Sequence, residues 1–469
     1  MRRSHYLLAG AVVVAGAAAL VGNRTTAPAR GEPIAPQRPD PGAGAEPRSA
    51  ADPGAVERAP GHPPAAPAAP AAPAAPAAPT ASPASIADLI DLDRRELTAD
   101  GARYEAPLKD GRRAVLTLDP TLQALAEKLL SEARAPRGAI VAMAPDGRIL
   151  ALAGRRSDPA VKTAREAAAA APVAIAAPAF DWRLATDVWA PAASVFKLVT
   201  ASALVAAGVD PSDKVCFHGG LRSVQESNLR DDKRDSRCET LTYGVAHSNN
   251  AILGKLAFQR LAPAELTRFA HDLGVTEGLP GAELHGTAGA IDIPAARDLS
   301  FAQTAAGFSG SSLSAVGGAL LAATFADGGE QPMPWLVSSI DGVAVPPPGK
   351  RRAVTSEVAR AVGRMMQATC EFGSASRSFG RHQAIRVAGK TGTLTRTEPF
   401  YMEHSWFVGY APAEQPEIVV SVVLGNPENW HLRGHEAARR LIDRALDHDR
   451  HGHETPRAGK TASTRRVGW

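Results

Sequence analysis

Cysteine is scarce: the 469 residues hold three, Cys216, Cys238 and Cys370. That excludes a disulfide-dense scaffold and a multi-cysteine zinc or iron–sulfur protein. Aromatic residues make up only 5%. Charge of neither sign dominates, since 52 basic and 48 acidic residues leave a formal net charge of +4. A dedicated nucleic-acid binder needs a concentrated basic face, so no nucleic-acid partner is expected. The apolar run near the N-terminus, Tyr6 to Gly22, has 17 residues without a charge. An ordinary membrane span takes about 20.

What is abundant is proline, and it is unevenly placed. Of 38 prolines, 16 fall in residues 23–85. No globular core can run through such a segment. From Pro64 to Pro79 the chain repeats Ala-Ala-Pro with period three, the period of a polyproline II helix. The segment reads as a disordered, semi-rigid linker, reaching on the order of 150–190 Å if extended. Before it, Arg2 and Arg3 precede the apolar run. Residues 1–22 therefore read as a membrane anchor or a cleaved signal segment. A single-pass anchor would hold the rest of the chain outside the cytoplasm; cleavage would release it there, secreted or periplasmic.

Ordered patterning starts near Ser85. Ser85-Ile-Ala-Asp88 is a capping box, predicting a short helix through Leu97. Asp119 and Pro120 open the strongest predicted helix, to Ala135. Its Leu122, Leu125, Ala126, Leu129, Leu130 and Ala133 repeat at helical period. Hairpins are predicted at Ala139–Ala144/Ile149–Ala153 and at Trp406–Tyr410/Ile418–Leu424. A helix from Glu436 to Leu446 follows. Strands at both ends of the body with a helix-rich stretch between them imply a sheet assembled from distant segments, with an inserted helical region. Residues 155–180 read as an Ala-rich surface insertion. The tail, 448–469, is polar and basic, and its His448, His451 and His453 read as solvated rather than metal-binding.

Three short motifs occur in order. Ser194-Val-Phe-Lys197 opens an apolar helix ending at Gly208. Residues i and i+3 share a helix face, so the amine can reach the hydroxyl. Serine is a poor nucleophile until a base takes its proton, and lysine is a base only where burial or nearby cations lower its pKa. Ser248-Asn-Asn250 is the second motif. Lys390-Thr-Gly-Thr393 is the third, preceded by a strand-like Ala384–Ala388. Alone, each has a bland reading: a capped helix with a solvated lysine, a turn, a strand end.

Together, Ser-x-x-Lys, Ser-x-Asn and Lys-Thr-Gly resemble the signature of penicillin-binding proteins and serine β-lactamases. The flanks resemble penicillin-binding transpeptidase domains too: Leu116 to Gln123, Gly138 to Gly147, Gly307 to Gly329, Met365-Met366, Gly373-Ser-Ala375 and Ser405 to Pro412. The likeness runs over about residues 112–447.

It implies a mixed α/β, β-lactamase-like fold: an antiparallel sheet flanked by helices plus an all-helical lobe. It also implies a D,D-transpeptidase that cross-links peptidoglycan stem peptides through a serine acyl-enzyme and binds β-lactam antibiotics covalently. By this resemblance Ser194 is the nucleophile and Lys197 its base. Ser248 relays a proton to the leaving amine, and Asn250 holds the substrate peptide. Lys390, Thr391 and Thr393 attract and bind the terminal carboxylate. Gly392 keeps the strand edge open. The backbone N–H groups of Ser194 and Thr393 form the oxyanion hole. No metal or organic cofactor is implied.

Residues 86–112 read as a short connector, too short for the glycosyltransferase or pedestal domain that relatives carry, so a separate glycosyltransferase or other wall-synthesis proteins are expected partners. Residues 113–447 are then a transpeptidase domain on a stalk. Outside the cytoplasm a Cys216–Cys238 bridge is allowed, and two free thiols are the alternative. Cys370 lies on an apolar helix face with Val358, Val362 and Met366, as a buried thiol. A D,D-carboxypeptidase or a β-lactamase would use the same residues. An inactive scaffold or a β-lactam or muropeptide sensor are the non-enzymatic alternatives.

Overall fold

Apolar strands from two distant parts of the chain meet in one sheet. The structure is a computed structural model and describes residues 85–158, 179–220, 223–276, 278–281, 283–380 and 384–452. The first sheet strands are β1 (Arg137–Met143), β2 (Ile149–Arg156) and β3 (Ala179–Phe180). Far along the chain come β4 (Ala388–Arg396), β5 (Met402–Ala411) and β6 (Ile418–Asn426). Their order is β4-β5-β6-β1-β2-β3, and every pairing is antiparallel. All nine residues of β6 are buried. A strand covered on both faces reads as a continuous apolar run rather than an alternating one.

Helices supply the covers. They are α1 (Pro120–Ala133), α2 (Lys197–Ala206), α3 (Leu241–Ala246), α4 (Asn250–Arg260), α5 (Pro263–Asp272), α6 (Leu299–Ala305), α7 (Ala315–Ala326), α8 (Ser356–Glu371) and α9 (Gly434–Gly452). One sheet face buries Val420, Val422 and Leu424 under Leu129 and Leu130 of α1 and Leu441 and Ile442 of α9. The other packs Val141, Val408 and Val423 with Val316, Leu320 and Leu321 of α7 in the larger core. That core continues into the helical lobe through Leu198, Leu253, Leu266 and Phe301. The fold is thus mixed α/β with an antiparallel sheet and a helical lobe.

Several sequence expectations shift. Asp119 caps α1, its carboxylate accepting from Leu122 N at 2.8 Å. Gln123, outside the predicted apolar face, is buried because its amide clasps Leu152 of β2: it donates to the carbonyl at 3.2 Å and accepts from the N–H at 2.8 Å. The helix expected from Ser85 to Leu97 covers only Ile86–Leu89. Beyond it Ile90 bridges to Leu108 and Asp91 N bonds Pro107 O, so tertiary pairing ends the helix. Residues 86–112, expected as a connector, lie against the body: Leu92, Ala106 and Leu108 join the larger core. The strand carrying Lys390 begins at Ala388 rather than ending there. The final helix runs on to Gly452. The expected anchor or signal segment (1–22), the proline-rich linker to residue 84, the insertion over 159–178 and the tail over 453–469 lie outside the described residues.

On the helical lobe, strands Lys214–Phe217 and Arg237–Thr240 pair with Cys216 opposite Cys238, and the two form a disulfide. Beneath this hairpin the buried Lys255 of α4 donates to Cys216 O at 2.8 Å and Asp235 at 2.7 Å, with Asp231 at 2.9 Å. The loop joining the strands is thereby tied to the helix that carries Asn250. Cys370 is buried and free, and burial pushes its thiol pKa up.

Candidate active site

Ser194 sits in a 3-10 turn, Ala193–Phe196, that passes directly into α2 at Lys197. With three residues per turn, i and i+3 eclipse, and Lys197 stands over Ser194. Nζ lies 2.8 Å from Ser194 Oγ. The preceding Ala193 has φ +49°, a left-handed conformation that costs a non-glycine residue about 1–2 kcal/mol. Such strain clusters at functional sites, where the surroundings hold it.

Lys197 is fully buried. Its other contacts are Asn250 Oδ1 at 2.7 Å and Ala306 O at 2.6 Å. Both can only accept. A neutral amine has two N–H donors and one lone pair; it satisfies both acceptors and leaves the lone pair for the Ser194 hydroxyl. After proton transfer the ammonium donates to all three. Burial, and then the nearby Lys390, hold the Lys197 pKa well below 10.5, which favours the neutral form as resting state.

Lys390 projects from β4, an edge of the sheet. It donates to Ser248 Oγ at 3.0 Å and to Thr391 O at 2.9 Å. It is buried, and desolvation brings its pKa down to about 7. Ser248 is itself left-handed at φ +56°. Asn249 then caps α4, its Oδ1 accepting from Ile252 N at 3.1 Å. A Cβ on Gly392 would come within 3.3 Å of Val195 and 3.4 Å of Ala192 O, so β4 passes close beside the turn that carries Ser194.

The predicted residues from the three motifs therefore meet. Ser194, Lys197 and Asn250 form one hydrogen-bonded group, and Ser248, Lys390 and Thr391 form another. Thr393 is exposed on the same strand edge. The disulfide cysteines lie outside these two groups. Two partners have no role in the sequence reading. Ser374 Oγ lies 2.6 Å from Thr391 Oγ1, and the Ala306 carbonyl holds Lys197. Ser374 belongs to the Gly-Ser-Ala segment already noted; a backbone carbonyl has no sequence signal. Among the described residues no group of His, Cys, Asp or Glu is arranged to hold a metal.

Comparison with known proteins gives the family and the fold. The family description "Penicillin binding protein transpeptidase domain" matches residues 138–445. Stage V sporulation protein D of Bacillus subtilis is 27% identical over 365 residues, 73% of this chain and 54% of that protein. Peptidoglycan D,D-transpeptidase PbpA of Mycobacterium tuberculosis is 26% identical over 252 residues, half of each chain. The chain thus spans about half the length of these curated relatives. Among solved structures, the M. tuberculosis penicillin-binding protein A imipenem acyl-enzyme superposes with a TM-score of 0.56 at 22% identity, covering 72% of this chain and 80% of that one. The D,D-transpeptidase domain of a peptidoglycan glycosyltransferase from Eggerthella lenta gives 0.55 at 25% identity, covering 72% and 84%.

Proposed function

Because this chain belongs to the penicillin-binding protein transpeptidase family, we propose that it is a peptidoglycan D,D-transpeptidase working through an acyl-enzyme on Ser194. The observation that carries the reading is the buried Lys197 amine 2.8 Å from Ser194 Oγ, its two other neighbours being pure acceptors. Ser194 attacks the carbonyl of the penultimate D-Ala while Lys197 takes its proton. Ser248, held by Lys390, gives a proton to the leaving D-Ala nitrogen. Thr391, Gly392, Thr393 and Lys390 receive the substrate's terminal strand and carboxylate, and Asn250 fixes Lys197 and the substrate peptide. The N–H groups of Ser194 and Thr393 take the oxyanion. The amine of a neighbouring stem peptide then releases the acyl group. A β-lactam acylates by the same attack, and its opened ring stays attached. M. tuberculosis penicillin-binding protein A forms acyl-enzymes with imipenem and penicillin G.

Residues 113–447, with 86–112 folded against them, are the catalytic body in this reading. Residues 23–85 are a tether, 453–469 a tail after the final helix, and 1–22 the membrane attachment or signal that puts the body outside the cytoplasm. Among the described residues no helix is long and apolar enough to cross a membrane. Glycan polymerisation falls to a separate glycosyltransferase.

The test is labelling of the full chain with fluorescent penicillin beside Ser194→Ala. A lasting adduct on the wild type alone is expected. Fast loss of label points to a β-lactamase, and no label to a scaffold. A pentapeptide donor with and without an amine acceptor then separates transpeptidase from carboxypeptidase.

A further inference from the structure

Thr200 lies one turn beyond Lys197 in α2, on the same face of the helix. We infer that Thr200 is a positioning residue for the base: its hydroxyl fixes the end of α6, so that the Ala306 carbonyl keeps the Lys197 amine turned toward Ser194. The inference rests on the acyl-enzyme reading and adds to it the residue that aims the base.

The last carbonyls of a helix have no partner inside it. At the end of α6 they belong to Gln303, Thr304, Ala305 and Ala306. Gly307 N donates to Thr304 O at 2.8 Å and Phe308 N to Gln303 O at 3.0 Å. This is the pair of bonds that a left-handed residue closes after a helix, and Gly307 has φ +85°. The Ala305 and Ala306 carbonyls stay outside that arrangement and meet α2 instead. Thr200 Oγ1 donates to Ala305 O at 2.8 Å, and Lys197 Nζ lies 2.6 Å from Ala306 O. Thr200, Lys197 and Ala305 are fully buried, so water replaces neither bond.

A hydroxyl inside a helix has a local alternative, the carbonyl four residues back. The buried Ser202, Thr324 and Thr369 all take it. Thr200 reaches across to α6 instead, to the carbonyl next to the one that holds the base. Without its hydroxyl, Ala305 O becomes a buried acceptor in need of a donor, and the Lys197 amine is already on the adjoining carbonyl. A neutral Lys197 has two N–H donors, engaged by Asn250 Oδ1 and Ala306 O. A third acceptor competing for them turns the lone pair away from Ser194 Oγ. The base is then present but misaimed. Proton transfer slows, while the fit of a penicillin in the cleft is unchanged.

The experiment follows acylation of the full chain by a fluorescent penicillin over a range of concentrations, which separates noncovalent affinity from the rate constant of the covalent step. The final labelled fraction reads how much protein is folded, so a partly unfolded variant still reports its rate. Thr200→Val keeps the shape and loses the hydroxyl. Its covalent step should slow about tenfold or more with affinity unchanged, since misplacing a reacting group by about 1 Å can cost about 10²-fold. Thr200→Ser should restore most of the rate. Ser202→Ala, which removes a buried hydroxyl from the same helix, should leave the rate at the wild-type value. A wild-type rate in Thr200→Val, a loss that falls on affinity instead, a Thr200→Ser variant as slow as Thr200→Val, or an equal slowing in Ser202→Ala overturns the inference alone. A wild type that penicillin does not label removes the acyl-enzyme reading and the inference with it.

Discussion

Lys390 Nζ and Ser248 Oγ lie 3.0 Å apart although 142 residues separate them. One residue belongs to the sheet edge and the other to the helical lobe, so this contact closes the cleft. It also buries the Lys390 amine, and burial brings Lys390 to about pKa 7, while burial and the nearby Lys390 hold Lys197 well below its ordinary value. Two lysines in one dry site cannot both stay charged cheaply. In the proposed transpeptidase reading the pair divides the labour, with one neutral amine as base and one ammonium facing the carboxylate.

That division predicts a bell-shaped pH profile for acylation by penicillin. On the acid side the rate falls as Lys197 gains a proton and can no longer accept from Ser194. On the alkaline side it falls as Lys390 passes its pKa of about 7 and becomes neutral, losing its pull on the substrate carboxylate. Lys390→Arg keeps a cation at high pH, so its alkaline limb should move up by more than one unit. Second-order acylation rates between pH 5 and 10 check this. A wild-type profile flat across pH 6–9 would count against it.

Lys197→Met should slow acylation about 10²–10⁴-fold, the usual yield of general base catalysis. Lys197→Arg should not rescue it, because a guanidinium stays protonated and has no lone pair to offer. Circular dichroism confirms folding, and stopped-flow quenching with a fluorescent penicillin gives the rate. Arginine activity near wild type would mean that charge, not basicity, matters at this position.

Both β-hairpins and the core face of α1 were legible because period and turn chemistry are local. The three motifs were legible as a set, since order and spacing carried what none carried alone. What escaped was long-range. The helix after Ser85 ends early because Ile90 and Asp91 find partners at Leu108 and Pro107, a competition no local pattern encodes. The strand of β4 starts later than its local pattern suggests because a strand end rich in Lys and Thr looks like a loop, while in the fold its Lys390 is buried against Ser248. Ser374 and the Ala306 carbonyl join the site only through tertiary contact.

The Cys216–Cys238 bridge closes a loop with a sequence separation of 22, and removing it should cost about 3 kcal/mol. Cys216→Ser/Cys238→Ser should shift the urea midpoint downward accordingly. Penicillin acylation at low temperature should persist, because Lys255 still ties the loop to α4 through Asp235. A midpoint unchanged under oxidising conditions would show that this ion pair alone holds the hairpin.

Gly307 tests how Ser194 is held. It has φ +85°, and an added Cβ would lie 2.2 Å from the Ala193 carbonyl oxygen. No contact that short survives, so Gly307→Ala must push the strained Ala193 and, with it, Ser194. Gly208, after α2, has nearly the same backbone, φ +84°, with nothing within 4 Å of the added atom. Both substitutions carry the left-handed penalty of about 1–2 kcal/mol, so both should lower Tm. Only Gly307→Ala should also slow acylation, by about tenfold or more, since misplacement of a reacting group by about 1 Å can cost 10²-fold. Thermal melts and labelling rates on the two variants separate backbone strain from displacement of the serine. Equal labelling by both would mean that the Ala193 turn yields without moving Ser194.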